Sequence, residues 1–130
     1  NANAVALADW FQNQAGVSAV HSPLAAGQRE NYTRLARRSD APGGVLTIEL
    51  NGDLARFYDR LPFAKGPSFG LDFTLVCPFM YLAHYDLVST ESGRQKLRSN
   101  GLNPDLVRIS VGTEDFSELT AGFALGLKGL

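Results

Sequence analysis

Residues 106–115 read LVRISVGTED, and this stretch decides the fold around it. Val107, Ile109 and Val111 recur at every second position, which is the pattern of a strand with one buried face. Arg108 therefore lies on the opposite face of the predicted strand. A guanidinium in the middle of a strand is costly to bury unless an anion meets it, and its planar fork suits a carboxylate.

The residues that follow this strand predict an immediate change to helix. Gly112, Thr113 and Asp115 are typical of a turn and helix start. For Arg108 itself the residues leave two interpretations open. The arginine either forms an internal salt bridge or occupies an exposed edge, or it binds the carboxylate of a ligand.

Apolar periodicity along the rest of the chain predicts a mixture of helices and strands. The predicted helices lie near residues 4–16, 29–38, 54–61 and 116–127, and the predicted strands lie at residues 17–21, 45–50, 73–77 and 106–111. No internal repeat or low-complexity segment interrupts them. We therefore predict an α+β fold, a mostly antiparallel sheet with helices packed on one face.

Composition favours one domain without a charged partner. The 130 residues are 45% hydrophobic and 19% charged, enough for a sizeable core. Twelve basic against thirteen acidic residues give a net charge of −1, which offers no electrostatic case for nucleic acid or an anionic membrane. No apolar run approaches a membrane span, and no signal-peptide pattern occurs. The single cysteine, Cys77, forms no internal disulfide, which favours a cytoplasmic protein.

The residue types that carry catalysis are sparse. Lys65, Lys96 and Lys128 occur in loop-like or helix-tail contexts, where lysines are solvated. His21 and Cys77 are isolated, so no metal site is predicted. No glycine-rich phosphate cradle of the usual spacing exists. Taken alone, the chain is predicted to hold no catalytic residue.

Several segments together resemble one family of enzymes. They are Ser68-Phe69-Gly70, Phe73-Thr74-Leu75 with Pro78, Gly43-Gly44-Val45-Leu46 and the stretch LVRISVGTED. Together they are similar to the C-terminal domain of the pyridoxal-phosphate (PLP) enzymes of cysteine and methionine metabolism. That family includes cystathionine γ-synthase, cystathionine γ-lyase, methionine γ-lyase and O-acylhomoserine sulfhydrylases. The resemblance covers nearly the whole chain.

The resemblance implies a substrate-binding role for four residues. Arg108 matches the family arginine that grips the α-carboxylate of the substrate, and Ser68, Phe69 and Gly70 match the loop that approaches the same carboxylate. The fold would be the small domain of a fold-type-I PLP enzyme. The parent enzyme would make or break a carbon–sulfur bond at the γ-carbon, and the residues leave replacement and elimination equally open.

The resemblance also implies which parts lie elsewhere. The family lysine that binds PLP lies in a Ser-x-Thr-Lys segment of the large domain, and this chain has no such segment. We therefore expect PLP in the parent and none on this chain, which would be inactive alone. Its partners would be the amino-acid substrate and the N-terminal PLP-binding domain, in a homotetrameric parent. Residues 1–2 are predicted to be an expression-tag remnant and residues 3–130 a single domain.

The chain departs from the family pattern near the predicted site. Pro67 stands where the family often has a glutamate that meets a distal substrate amino group. Phe69 replaces the usual leucine, and Ala83 replaces a threonine. His84 keeps its family position and is predicted to pack in the core, and Cys77 is predicted to be small core filler.

Two other functions stay open beside the enzyme domain. One is a stand-alone module that binds an amino acid through the same arginine without PLP. The other is a dimerisation module whose exposed sheet face pairs with another chain. Neither requires catalysis by this chain.

Overall fold

The computed structural model of the chain describes residues 2–25 and 27–130, and within these ranges it contains one five-stranded sheet and seven helices. The strands are β1 (Val17–His21), β2 (Val45–Leu50), β3 (Ala64–Lys65), β4 (Leu75–Cys77) and β5 (Val107–Ser110). The helices are α1 (Ala2–Gln12), α2 (Arg29–Leu35), α3 (Leu54–Arg60), α4 (Phe79–Ala83), α5 (Tyr85–Val88), α6 (Glu91–Ser99) and α7 (Phe116–Leu127).

The sheet is mostly antiparallel, as the sequence predicts. Its strand order is β1-β2-β5-β4-β3, and only the short edge strand β3 runs parallel to its neighbour. The middle strand is β5, which comes from the stretch LVRISVGTED. Within it Arg108 lies between Thr47 of β2 and Cys77 of β4. The strand order, which the sequence did not predict, therefore places the arginine at the centre of the sheet.

One face of the sheet forms the main core. Helices α1, α3 and α7 pack against this face, which confirms the predicted arrangement. Phe123 of α7 meets Phe11 of α1 edge-on, with 5.0 Å between ring centroids, and lies 4.5 Å from Phe63. Burying each such side chain contributes about 1.5–3 kcal/mol. The strand residues beneath the helices are Leu46, Ile48, Leu50, Val76, Val107 and Ile109.

A smaller cluster holds the three short helices α4, α5 and α6 together. Its buried members are Met80, Val88 and Leu97, with Leu106 packed against them. Gly93 lets α6 approach α5 closely, because a Cβ there would collide with the backbone of Leu87. The sequence patterns did not predict these helices.

Some predicted boundaries differ from the structure. The helix predicted for residues 29–38 ends at Leu35 and buries none of its residues, so nothing extends it. The strand predicted for residues 73–77 begins only at Leu75. Of the predicted tag remnant, Asn1 lies outside the described residues, and Ala2 is the first residue of α1. No helix in the described ranges has the length and apolar character needed to cross a membrane.

Candidate substrate-carboxylate site

Arg108 is half-buried on the face of the sheet opposite the main core. Its Nη2 donates a hydrogen bond to the backbone carbonyl of Pro67. Within residues 2–25 and 27–130 no Asp or Glu forms an ion pair with it. Because β5 is the middle strand, the arginine does not occupy an edge position either. Both structural explanations for a mid-strand arginine therefore fail in this part of the chain.

Two aromatic rings flank the guanidinium. The Cζ atom of Arg108 lies 4.8 Å from the ring centroid of Phe79 and 5.7 Å from that of Phe69. These distances are within the range of cation–π attraction, which favours a fixed position of the cation. Phe79 begins α4, two residues after Cys77, the cross-strand neighbour of the arginine. The two rings reach the same cation from a helix start and a loop.

Phe69 belongs to residues 66–73, which we call the pocket loop. The backbone N–H of Gly70 donates to Ser110 Oγ at 3.1 Å, and Gly70 has a φ of 77°, which glycine adopts without strain. Ser110 is 3% exposed and lies two residues beyond Arg108, so the two side chains share a sheet face. Further along the loop, the N–H of Thr113 donates to the carbonyl of Asp72 at 2.7 Å. The loop is thus fastened to the end of β5.

A buried hydrogen-bond network lies where the loop ends. Thr74, 1% exposed, donates from its N–H and its hydroxyl to the carboxylate of Glu114, at 2.5 and 2.8 Å. The same hydroxyl accepts from the N–H of Gly112 at 3.0 Å. Asn3 of α1 donates to the carbonyl of Glu114 at 2.8 Å. The network joins α1, β4 and the connection between β5 and α7.

The sequence prediction missed Ser110, Thr74 and Glu114 as supports of the site. The bonds from Gly70 to Ser110 and from Thr74 to Glu114 each join residues 40 positions apart, and periodicity does not report such contacts. The available signal was a polar residue at a position flanked by apolar ones, since buried polar groups must find partners.

The structure brings three of the four predicted site residues together. Phe69 contacts Arg108, and Gly70 is tied to Ser110 on the same strand. The side chain of Ser68 is exposed, next to Pro67, whose carbonyl accepts from the arginine. The binding roles of Arg108, Ser68, Phe69 and Gly70 stay predictions.

Two other sequence interpretations have different outcomes. Cys77 is buried, as predicted, and this burial raises the pKa of its thiol, although the charge of Arg108 partly opposes the rise. The prediction that His84 packs in the core is wrong, since the residue is exposed. His84 is the single residue between α4 and α5: its N–H donates to the carbonyl of Met80, and its carbonyl accepts from the N–H groups of Leu87 and Val88. Its backbone therefore caps both helices, while its side chain is not required in the core.

The described residues do not fit a PLP site of their own. A PLP site needs a lysine for the Schiff base and an acid for the ring nitrogen. Lys65, Lys96 and Lys128 are all exposed, and the Nζ of Lys65 lies 5.0 Å from the ring centroid of Tyr58. Across residues 2–25 and 27–130, no three His, Cys, Asp or Glu side chains gather as a metal site would require. The group that these residues present to a ligand is the Arg108 guanidinium, a cation that is held in place and can bind an anion.

Solved structures with this fold identify the class of protein. The chain superposes with a TM-score of 0.78 on a cystathionine γ-lyase from Micromonospora echinospora, at 27% identity over 99% of this chain and 33% of the other. It also superposes with a TM-score of 0.79, at 19% identity, on a cystathionine γ-lyase from Lactobacillus plantarum. The fold is therefore the one found in PLP-dependent enzymes of fold type I.

Sequence relatives specify the family. The sequence model described as Cys/Met metabolism PLP-dependent enzyme matches residues 1–128. A relative from Streptantibioticus cattleyicolor, the L-2-amino-4-chloropent-4-enoate dechlorinase/desaturase, is 53% identical over 115 residues, 88% of this chain. The cystathionine γ-synthase of Neurospora crassa is 35% identical over 98% of this chain. The chain belongs to the Cys/Met metabolism family of PLP-dependent enzymes, which confirms the resemblance, and it spans 23% and 20% of these two relatives' lengths.

Proposed function

We propose that this chain is the C-terminal, substrate-carboxylate-binding domain of a longer PLP-dependent enzyme that makes or breaks a bond at the γ-carbon of an amino acid. The observation that carries the proposal is Arg108, a cation on the central strand that meets no acid in the described ranges. The N-terminal domain of the same protein would supply PLP and its lysine. We place the enzyme in the cytoplasm as a homotetramer, without nucleic acid or membrane as a partner.

In this proposal the chain binds and orients, and the chemistry occurs on groups outside it. Arg108 donates to both oxygens of the α-carboxylate, and its bond to the Pro67 carbonyl fixes one end of the fork. Holding the carboxylate at one point and the amino group elsewhere fixes the direction of the Cα–H bond, which lowers the entropic part of the barrier. Ser68, Phe69 and Gly70 form the wall beside the carboxylate.

Two leaving groups at the γ-carbon are candidates. The cystathionine γ-synthase name of the Neurospora crassa relative favours sulfur. The name of the Streptantibioticus cattleyicolor relative, which shares 53% identity, favours chloride on carbon 4, which is also the γ-carbon. Pro67 supports the second candidate, because it provides no carboxylate for the distal amino group of cystathionine. Both candidates need the same grip on the α-carboxylate.

The two non-catalytic functions explain fewer of the observations than the enzyme domain does. A stand-alone binding module or a dimerisation module would leave PLP out, whereas the family match spans the chain. Exposed apolar side chains cluster in sequence around the site, on Leu71, Phe73, Leu82 and Tyr85. We propose that the N-terminal domain and the substrate cover these side chains.

Arg108→Ala in the full-length enzyme tests the proposal. The change removes charge-assisted hydrogen bonds worth about 1.5–3 kcal/mol each, so kcat/KM should fall about ten- to hundredfold for every amino-acid substrate. Arg108→Lys should recover little, because an ammonium does not reproduce the fork. Arg34→Ala, an exposed change on α2, is the matched control and should leave kcat/KM unchanged. An Arg108→Ala enzyme with unaltered kcat/KM contradicts the proposal.

Adding PLP to the 130-residue chain tests the proposal that the PLP site lies in the N-terminal domain and not in this chain. Because the chain has no Ser-x-Thr-Lys segment, and its exposed lysines would react with PLP only nonspecifically, titration should give no stoichiometric, saturable absorbance band in the visible region and no turnover of methionine or homoserine esters. A saturable band with one PLP per chain would contradict the assignment of the PLP site to the N-terminal domain.

A further inference from the structure

The two rings on Arg108 are the feature of the site that its hydrogen bonds do not explain. The Pro67 carbonyl and the strand already hold the guanidinium. Phe79 and Phe69 nevertheless lie 4.8 and 5.7 Å from its Cζ. We call this pair the aromatic clamp. It does two things: it attracts the cation to the ring faces, and it keeps water from part of the guanidinium.

The rings of the aromatic clamp are also partly exposed to solvent. Phe69 is 66% exposed and Phe79 is 37% exposed, although large aromatic side chains gain most from burial. Their free ring surface adjoins the cation that would hold a substrate carboxylate. An amino acid bound there by its carboxylate would carry its side chain past these rings. Apolar substrate carbon would bury ring surface, whereas a charged substrate end would lose hydration beside it.

The charges of the pocket loop also favour a substrate with an apolar side chain. Within residues 66–73 the only ionisable side chain is that of Asp72. It lies beyond Gly70, where its backbone carbonyl accepts from the N–H and the hydroxyl of Thr113. Next to Ser68 stands Pro67, which has no side-chain acceptor. A distal ammonium near the clamp meets the guanidinium of Arg108, whose like charge repels it and which already occupies both rings, and it finds no carboxylate at Pro67.

We propose that the aromatic clamp, Phe69 and Phe79, selects γ-substituted amino acids with an uncharged, apolar far end and rejects those with a charged far end. This inference rests on the proposed function and deepens it. Phe79 has a positioning role on Arg108, and Phe69 is the specificity-determining ring. The substrate class includes thioethers such as methionine and small γ-halogenated amino acids, and it excludes cystathionine, whose far end carries an ammonium and a carboxylate.

The test compares substrates in the full-length enzyme. L-Methionine and L-2-amino-4-chloropent-4-enoate represent apolar far ends, and L-cystathionine represents a charged one. Phe69→Gln should lower the preference for apolar over charged substrates about tenfold, measured as the ratio of kcat/KM values. Phe69→Leu keeps an apolar wall and should retain most of that preference. Leu35→Ala, on the exposed face of α2, should change neither.

The variant Phe79→Leu tests whether Phe79 positions Arg108 or only packs in the fold. Loss of the ring should raise KM about three- to tenfold for all three substrates by the same factor, with kcat little changed, because the cation is held less well. Thermal unfolding of each variant shows whether it is folded. A uniform loss of kcat with unchanged KM would mean a structural role and would overturn the positioning part.

The outcomes distinguish the clamp from the proposed function. If the wild-type enzyme turns over these substrates and depends on Arg108, but Phe69→Gln leaves the substrate ratio unchanged, the clamp proposal alone is overturned. If the wild-type enzyme turns over none of the three, or loses nothing on Arg108→Ala, the proposed function and the clamp are both overturned. A wild-type enzyme that prefers cystathionine also overturns the clamp.

Discussion

The two faces of the sheet differ in how completely their side chains are buried and find partners within the chain. On the core face, Val107 and Ile109 are completely buried under helices α1, α3 and α7. On the other face, Arg108 meets one carbonyl and two partly exposed rings. One strand thus carries a closed apolar surface on one side and an incompletely paired cation on the other. We propose that the first face serves stability and the second serves binding.

Substitution of adjacent residues on opposite faces should show the largest effect. Ile109→Ala removes a fully buried side chain and should lower the free energy of unfolding by about 2–5 kcal/mol. Arg108→Ala, one position away, should lower it by less than about 1 kcal/mol, because the contacts that it loses are solvent-exposed: water replaces the donor at the Pro67 carbonyl, and both rings are partly exposed already. Denaturant unfolding of both variants measures the difference. Equal losses would break the division between the two faces.

The hydrogen-bond network of Thr74 and Glu114 should show an intermediate effect. Thr74→Val removes the hydroxyl that serves the Glu114 carboxylate and the Gly112 N–H, and this should lower the free energy of unfolding by about 1–3 kcal/mol. Thr120→Val is the control, since that hydroxyl bonds only to carbonyls of its own helix. The control should stay within about 0.5 kcal/mol of the wild type. If both variants unfold alike, the network does not stabilise the loop end.

The smallest effect concerns Glu49, which lies on the same sheet face as Arg108 but has partners. Partial burial works to raise the pKa of Glu49, but hydrogen bonds from Asn103 at 2.9 Å and His21 at 2.7 Å outweigh it, so the pKa lies below 4.5. A lowered folded-state pKa gives stability that is present above pH 4.5 and is lost as the pH falls through the folded value.

Glu49→Gln should remove that contribution. The free energy of unfolding at pH 7 should fall by less than about 1 kcal/mol, because the pair is partly exposed and screened. The difference between wild type and variant should shrink as the pH drops below 4.5. A difference that grows on acidification would contradict the direction of the pKa shift.

Local patterns predicted the parts of the fold that neighbouring residues determine. The apolar positions of α1, which are Ala4, Leu7, Ala8 and Phe11, are all buried. Burial alternates along β2 as predicted, and along β5 it alternates up to Ser110, which is buried as well. Helices α4 and α5 escaped prediction because they have only five and four residues, too few to show a helical period. Helix α6 has nine residues but buries only Gly93 and Leu97, so its apolar stripe is weak. Helix α2 is shorter than predicted because no tertiary contact buries its face.

The residues of the candidate site likewise divide into those that the sequence predicted and those that it did not. Alternation in β5 placed Arg108 on the correct face, and the family resemblance added the pocket loop. The aromatic partner Phe79 was not predicted, because its contact with the arginine depends on the cross-strand register of Cys77. The anchor at Ser110 depends on a loop 40 residues away. Such contacts arise from topology, which periodicity does not encode.

The most direct test of the central claim compares a substrate with its α-carboxamide in the full-length enzyme. The amide keeps the side chain and amino group but loses the charge that Arg108 would hold. The wild type should favour the carboxylate over the amide by about tenfold or more in kcat/KM, and Arg108→Ala should bring this ratio close to one. If Arg108→Ala keeps the wild-type preference for the carboxylate, Arg108 does not bind it.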